Sequence, residues 1–442
     1  VRDGLKPDPL TLFSFLRERF PGECFLLESL EGPEKTARYS FIGVDPLHTF
    51  VSEGGRVECD GRRERVNDPF EALRAYFRSI RCGASNLVPF SGGMAGYLGY
   101  DMIRWFEGIE AERGDTPELY FVLPRHLVCV DHLNCRTFLL SHGRVDEIGE
   151  EVERARPVEG DPLKIGEGRA NKGMEEYQEM VTRAKEYILE GEIFQVVLSR
   201  RMEFGIDGDP LKMYRALRGL NPSPYLFFLD FEGLKVLGSS PEMLVRLEGR
   251  KLTTRPLAGT RPRHPDAEED EKLKLQMLMD EKERAEHLML VDLHRNDMGR
   301  VSKYGTVKVT DLMSVEKFSH VQHIVSNIES EIAEGYDAFD ALRSCFPAGT
   351  VSGAPKIRAM QIIQELERDF RGPYAGAVGY FDFTGNMDFG IIIRSIVVSG
   401  ERATIQAGAG IVADSIPSRE YEETEHKMGA MISALASTKE GG

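Results

Sequence analysis

Pro224-Tyr-Leu-Phe-Phe-Leu-Asp-Phe-Glu-Gly-Leu-Lys-Val-Leu-Gly-Ser-Ser-Pro-Glu-Met-Leu-Val-Arg-Leu-Glu-Gly-Arg-Lys-Leu-Thr-Thr254 packs four short apolar runs into one stretch of chain. Residues 224–229, 234–237, 244–247 and 251–254 read as successive antiparallel strands, because strands that follow one another directly cannot form βαβ units. Upstream, 174–190 has the spacing of an amphipathic helix and 194–204 that of a strand. Downstream, helices are expected at 268–291, 338–344 and 356–366. Strands at 377–383, 389–398 and 403–407 then precede a last helix at 418–437. Runs of strands without regular alternation predict an α+β fold, with large, mainly antiparallel sheets and helices packed outside.

The first third of the chain is built of shorter pieces. Residues 10–19 and 68–80 read as helices, the second with Phe70, Leu73, Tyr76 and Phe77 on one face, while 24–27 and 120–130 read as strands. Glycines crowd Ser91-Gly-Gly-Met-Ala-Gly-Tyr-Leu-Gly-Tyr100, which suggests closely approaching backbones. Residues 146–173 are charged and poorly periodic, the best linker candidate. The expected division is an N-terminal region 8–145, a linker 146–173 and a main region 174–437.

Composition narrows the class. In 442 residues, 56 Lys and Arg face 72 Asp and Glu, a formal charge of −16 that argues against a nucleic-acid-binding face. No apolar run reaches the roughly 18 residues of a membrane helix, and the first residues lack a signal-peptide core. Six cysteines without CxxC spacing read as reduced thiols. A cytoplasmic protein without nucleic-acid or membrane partners is expected.

Two ExxE pairs carry the first chemical signal. In Asp280-Glu-Lys-Glu-Arg-Ala-Glu-His287, Glu283, Glu286 and His287 share a helical face where the helix is expected to enter the interior. In Glu420-Tyr-Glu-Glu-Thr-Glu-His-Lys427, Glu420, Glu423 and Lys427 share another. Buried carboxylates invite a hard cation, and few oxygen donors suit Mg²⁺; a solvated acidic face is the plainer alternative for either pair alone. Glycine-bearing turns at 256–260, 346–356 and 407–410 can bring backbone N–H groups to an anion or serve only as turns. The middle one is not a P-loop, because Lys356 follows Gly353 by three residues and no Ser or Thr comes next. His320 and His323 fall on opposite faces of a strand, so they cannot share a metal. Arg394, inside an apolar strand, requires an anion, either a structural carboxylate or one on a substrate.

Taken together, Ile193-Phe-Gln-Val-Val-Leu-Ser199, Asn221-Pro-Ser-Pro-Tyr225, Ser239-Ser-Pro-Glu242, Arg255-Pro-Leu-Ala-Gly-Thr-Arg261, residues 280–287, Leu290-Val-Asp-Leu-His-Arg-Asn-Asp297, 346–356 and 420–427 resemble the chorismate-utilising enzyme family, most closely its anthranilate synthase large-subunit branch. The resemblance covers nearly all of 173–437 in unbroken order. It implies amination of Mg²⁺-bound chorismate at C2 by ammonia with loss of the C4 hydroxyl, then elimination of pyruvate to anthranilate, on the way to tryptophan. By motif position, Glu286 and Glu423 would hold Mg²⁺ with Glu283 and Glu420 behind them. Glu242 would be the general acid and His323 would serve pyruvate elimination. Gly259, Thr260, Thr350, Tyr374, Arg394, Gly408, Gly410 and Lys427 match substrate-contacting positions, with Arg394 and Lys427 as carboxylate partners.

Two positions discriminate within the family. Relatives that add water have a lysine base where this chain has Gln195, and relatives that make aminodeoxychorismate for folate usually have a lysine where it has Ala258. Both point to ammonia attacking at C2, with aminodeoxychorismate synthase component I as the alternative. His294 stands where a smaller residue is usual. No cysteine flanked by glycines occurs, so the resemblance implies a separate glutamine amidotransferase subunit that supplies ammonia, in a heterotetramer. Leu26-Leu-Glu-Ser29 and Arg38-Tyr-Ser-Phe-Ile-Gly43 resemble a tryptophan feedback site completed by residues 221–225, with Glu28, Ser29, Pro224 and Tyr225 as inhibitor contacts.

Overall fold

The computed structural model describes residues 2–3, 7–30, 38–83, 85–318 and 321–440, side chains at 2, 3, 430 and 434–440 excepted. The four runs quoted above are strands Tyr225–Phe231, Leu234–Ser240, Met243–Glu248 and Lys251–Thr254. They divide between two sets of ladders, both antiparallel. In one set, Cys24–Glu28 pairs with Tyr225–Phe231, which pairs with Leu234–Ser240. That set continues through Ser395–Ser399 and Arg402–Ile411 to Gln195–Asp207. In the other, Leu119–Asp131, Gly93–Leu98, Ala377–Asp382, Met387–Ile391, Met243–Glu248, Lys251–Thr254 and Val321–Glu331 follow in order. The long strand Tyr39–Glu53 ties the sets together by pairing with Cys24–Glu28 and Leu119–Asp131.

Alternation along each strand explains the packing. Phe25, Phe227, Leu229 and Val236 of the first set meet Tyr97, Val122, Val378 and Tyr380 of the second in one buried cluster. Helices cover the outer faces. Pro9–Arg19, Met174–Leu189, Leu211–Leu220 and Lys356–Glu367 pack on the first set, and Pro69–Ser79 and Ala338–Cys345 on the second. The α+β expectation therefore matches the architecture. No helix among the described residues is long and apolar enough to cross a membrane, and the six cysteines are free.

Four expectations differ in detail. Residues 146–173 do not form a bare linker: the helix Val145–Glu153 buries Ile148 and Val152, and Lys164–Ala170 pairs with Gln195–Asp207. Strands from 8–145 also share ladders with strands from 174–437, so the composition boundary is no boundary in the sheet. The helix expected over 268–291 is two, Ala267–Met279 and Glu281–Gly299. They break at Asp280, whose extended backbone and carboxylate cap the second through the Lys282 and Glu283 amides at 3.0 and 3.2 Å. The strand expected over 389–398 is also two, Met387–Ile391 and Ser395–Ser399, with Arg394 between them at φ +50°.

Candidate active site

Those two breaks aim side chains at one place. Capping by Asp280 starts a helix whose first turns carry Glu283 and Glu286, and the left-handed backbone at Arg394 turns its guanidinium away from strand alternation. Both reach a cavity of about 560 Å³. Its wall brings together every catalytic, substrate-binding and metal-binding candidate: Glu242, Gly259, Thr260, Glu283, Glu286, His323, Thr350, Tyr374, Arg394, Gly408, Gly410, Glu420, Glu423 and Lys427.

The acidic residues sit on two helices that meet across the cavity. Arg261 holds Glu283 at 2.9 Å, Lys427 holds Glu423 at 2.7 Å, and Gln195 Nε2 donates to Glu286 at 3.2 Å. Burial raises the Glu286 and Glu420 carboxyls above their ordinary range. The charge of Glu423 pushes both the same way, and that of Glu283 adds to it at Glu286. Extra positive charge at this spot would relieve both. Among the described residues no three His, Cys, Asp or Glu side chains form a metal cage by themselves. Carboxylate oxygens are hard donors, and a hard cation that keeps water and a bound oxygen ligand in its shell fits them.

Glu242 follows Leu234–Ser240, and its carbonyl accepts the Ile391 amide at 3.0 Å. Burial pushes its carboxyl up to about 8, against the pull of Thr350, Arg394 and Lys427. Its Oε1 is buried and has no partner among the described residues. Such a carboxyl stays protonated at neutral pH and has a proton to give. His323 is the complementary group. Its Nδ1 lies 2.9 Å from the Gly259 carbonyl, which can only accept, so Nδ1 carries the proton and Nε2 keeps a lone pair. Nε2 has no partner among the described residues, and burial lowers the ring's pKa to about 4, so the imidazole is neutral above that pH.

Arg394 makes no ion pair among the described residues, and the nearby charge that bears on it is that of Glu242. It borders the cavity, as does Tyr374. Glycines keep the floor open. A Cβ on Gly410 would lie 2.5 Å from Gln195 Nε2, and one on Gly259, at φ +63°, 3.0 Å from Glu283 Oε2.

Several candidates fall elsewhere. His287 does not join Glu283 and Glu286: its Nε2 meets Ser326 Oγ at 2.6 Å in the protein interior. Nor is the helix wholly interior after it, since Leu288 is exposed. Lys356 pairs with Asp297 at 2.5 Å, a structural contact. His294 is buried against Thr254 Oγ1 at 2.8 Å, away from the cavity. His320 lies outside the described residues.

A second, smaller cavity collects Glu28, Ser29, Pro224 and Tyr225, together with Arg38, Tyr39 and Phe41. Tyr214 and Arg218 hold the Glu28 carboxylate at 2.6 and 3.0 Å. The Tyr225 hydroxyl donates to Asp388 at 2.8 Å, and Arg246 pairs with Asp388 at 2.6 Å. Sequence reasoning did not single out Arg246 here, nor Gln406 and Lys282 at the larger cavity. The signal was present: Arg246 and Gln406 interrupt apolar runs of sequence, as Arg394 does.

The model of the chorismate binding enzyme family matches residues 22–433. Anthranilate synthase component 1 of Aquifex aeolicus is 45% identical over 98% of this chain and 93% of its own length. That of Acetivibrio thermocellus is 44% identical over 97% and 92%. Among solved structures, anthranilate synthase component I from Streptococcus pneumoniae superposes with a TM-score of 0.80 at 36% identity, covering 91% of this chain and 93% of that one. The menaquinone-specific isochorismate synthase from Escherichia coli shares the fold, with a TM-score of 0.75 at 21% identity over 98% and 92%.

Proposed function

The chain belongs to the chorismate binding enzyme family, and from that premise we propose that it is the large subunit of an anthranilate synthase, aminating chorismate at C2 with ammonia and eliminating pyruvate. The observation that carries the reading is the convergence on one cavity of an unpaired Arg394, a protonated Glu242 and two acidic helix faces. Chorismate is a dicarboxylate, and these features offer a guanidinium for one carboxylate and a cation site for the other. Glu286 and Glu423, backed by Glu283 and Glu420, are the residues that would hold Mg²⁺. When bound, it would neutralise and orient the ring carboxylate.

The chain's own groups supply the rest. Arg394 and Tyr374 hold the enolpyruvyl carboxylate. Glu242 donates its proton to the C4 oxygen, which leaves as water while ammonia bonds to C2. The ammonium formed on C2 sheds a proton that restores Glu242; His323 Nε2 then takes the C2 proton as the C3–O bond breaks, and the departing enolpyruvate takes up a proton at its methylene carbon to become pyruvate. Gln195 cannot deprotonate water, and ammonia needs no such base. Ala258 borders the same cavity and offers no nucleophile, which disfavours the aminodeoxychorismate reaction.

The same reading assigns the second cavity to tryptophan as feedback inhibitor, contacted by Glu28, Ser29, Pro224 and Tyr225. It assigns the ammonia supply to a glutamine amidotransferase subunit, in a cytoplasmic heterotetramer. The test uses this chain alone with chorismate, Mg²⁺ and an ammonium salt at mildly alkaline pH. Blue-fluorescent anthranilate with equimolar pyruvate is expected. A product aminated at C4 that retains the pyruvyl group would overturn the assignment.

A further inference from the structure

We propose that Arg371 is a positioning residue for catalysis, a buried clamp that fixes the turn Gly349–Val351 and the strand Gln195–Asp207 against each other and thereby holds two walls of the catalytic cavity in register. This rests on the function proposed above. Arg371 and its partner Glu367 are 0% and 3% exposed at their side chains, an expensive place for two charges, and Arg371 reaches well beyond the pair. Its Nε and one terminal nitrogen bind both Glu367 oxygens at 2.9 and 2.6 Å. That same terminal nitrogen donates to the Val197 carbonyl at 2.7 Å, and the other donates to the Val351 carbonyl at 2.8 Å. Val197 and Val351 both border the catalytic cavity, on segments more than 150 residues apart in sequence. Glu367 closes the loop by accepting the Ser199 amide at 2.6 Å and its hydroxyl at 2.9 Å.

The geometry explains why arginine is needed. One planar fork meets two carboxylate oxygens and two carbonyls at once, and an ammonium cannot span all four. Thr350 precedes Val351 directly, and both border the cavity that Glu242 lines. A turn released by Arg371 would carry Thr350 and its cavity wall out of line with the reacting groups. Loss of about 1 Å of alignment in a reacting site costs on the order of a hundredfold in rate.

The test is Arg371→Lys, with Ser199→Ala as a milder variant that loosens Glu367 without removing a charge. The expected result is a kcat reduced about tenfold or more for Arg371→Lys, with KM for chorismate within threefold of wild type. The loss of kcat is expected to be smaller in Ser199→Ala, again with KM near that of wild type. Independently of turnover, amide hydrogen exchange at residues 349–353 should accelerate about tenfold in Arg371→Lys. Unchanged exchange there would overturn the clamp, whether or not the enzyme aminates chorismate. A lowered melting temperature with kcat unmoved in both variants would overturn the catalytic part and leave a purely structural ion pair. Should Arg371→Lys fail to fold, Ser199→Ala decides by the same two readouts. Wild-type enzyme that fails to turn over chorismate would count against the proposed function, and the exchange result would still decide the clamp.

Discussion

Replacing Glu242 by Gln separates activity from stability, because the burial that makes this carboxyl a proton donor also makes it costly to ionise. In the folded chain it holds its proton up to a pH of about 8, whereas an unburied glutamate releases it near 4.5. The folded state therefore binds more protons than the unfolded state between those values, so stability falls as pH rises through that window and is flat above it. At about 1.4 kcal/mol per pH unit, the gap sets a ceiling of about 5 kcal/mol on the alkaline cost of burying the charge. Glu242→Gln keeps the shape and carries no charge, so it should lose this pH dependence and unfold at a higher urea concentration than wild type at pH 9. The two proteins should lie much closer at pH 5. In the same variant, ammonium-dependent kcat should fall by about a hundred- to ten-thousandfold, the usual worth of a general acid. The alkaline limb near pH 8 should also vanish from what activity remains. Urea titrations at pH 5 and 9 beside a kcat profile from pH 6 to 10 measure both effects. A variant that keeps more than a tenth of wild-type kcat would refute the acid assignment. One no more stable than wild type at pH 9 would refute the burial argument.

Three further outcomes follow from other contacts. Glu423→Gln should abolish chorismate turnover and weaken Mg²⁺ binding measured by calorimetry, while tryptophan binding stays intact; surviving turnover would mean the cation site is elsewhere. Gly410→Ala puts a methyl 2.5 Å from Gln195 Nε2, so Gln195 must leave Glu286 and kcat should drop about tenfold or more with little change in melting temperature. Gly390→Ala puts a methyl 2.6 Å from the Tyr225 ring. Displacing that ring should weaken tryptophan inhibition at least tenfold, and an unchanged inhibition curve would argue against the second cavity as the feedback site.

How much of this was legible beforehand depends on the range of the interactions involved. Alternation and helical spacing are local, and they located most of the strands and helices, because a strand or helix with one buried face writes that face into its own sequence. The ExxE pairs at 283–286 and 420–423 and the lone Arg394 were visible as chemical oddities. Their meaning alone was ambiguous, and family resemblance rather than periodicity gave Glu242, His323 and Thr350 their roles. The break at Asp280 escaped periodicity because one capping carboxylate interrupts a helix without altering the apolar pattern on either side. The break before Ser395 escaped for a similar reason: a single left-handed residue turns the chain while the flanking isoleucines and valines still read as one strand. Residues 146–173 looked like a linker because a short helix and an edge strand bury few side chains and so leave little imprint.

By itself, the sequence determined the class of the fold, the strands and helices with a regularly buried face and the residue types able to do this chemistry, since each is set by neighbours a few positions apart. Tertiary structure alone decided which of those residues meet. Glu242, Glu286, His323, Arg394 and Glu423 lie on five separate segments, and only the antiparallel order of the sheets brings them to one cavity. It also decided the protonation of Glu242 and His323, because a pKa answers to burial and to through-space neighbours that no local stretch of chain records.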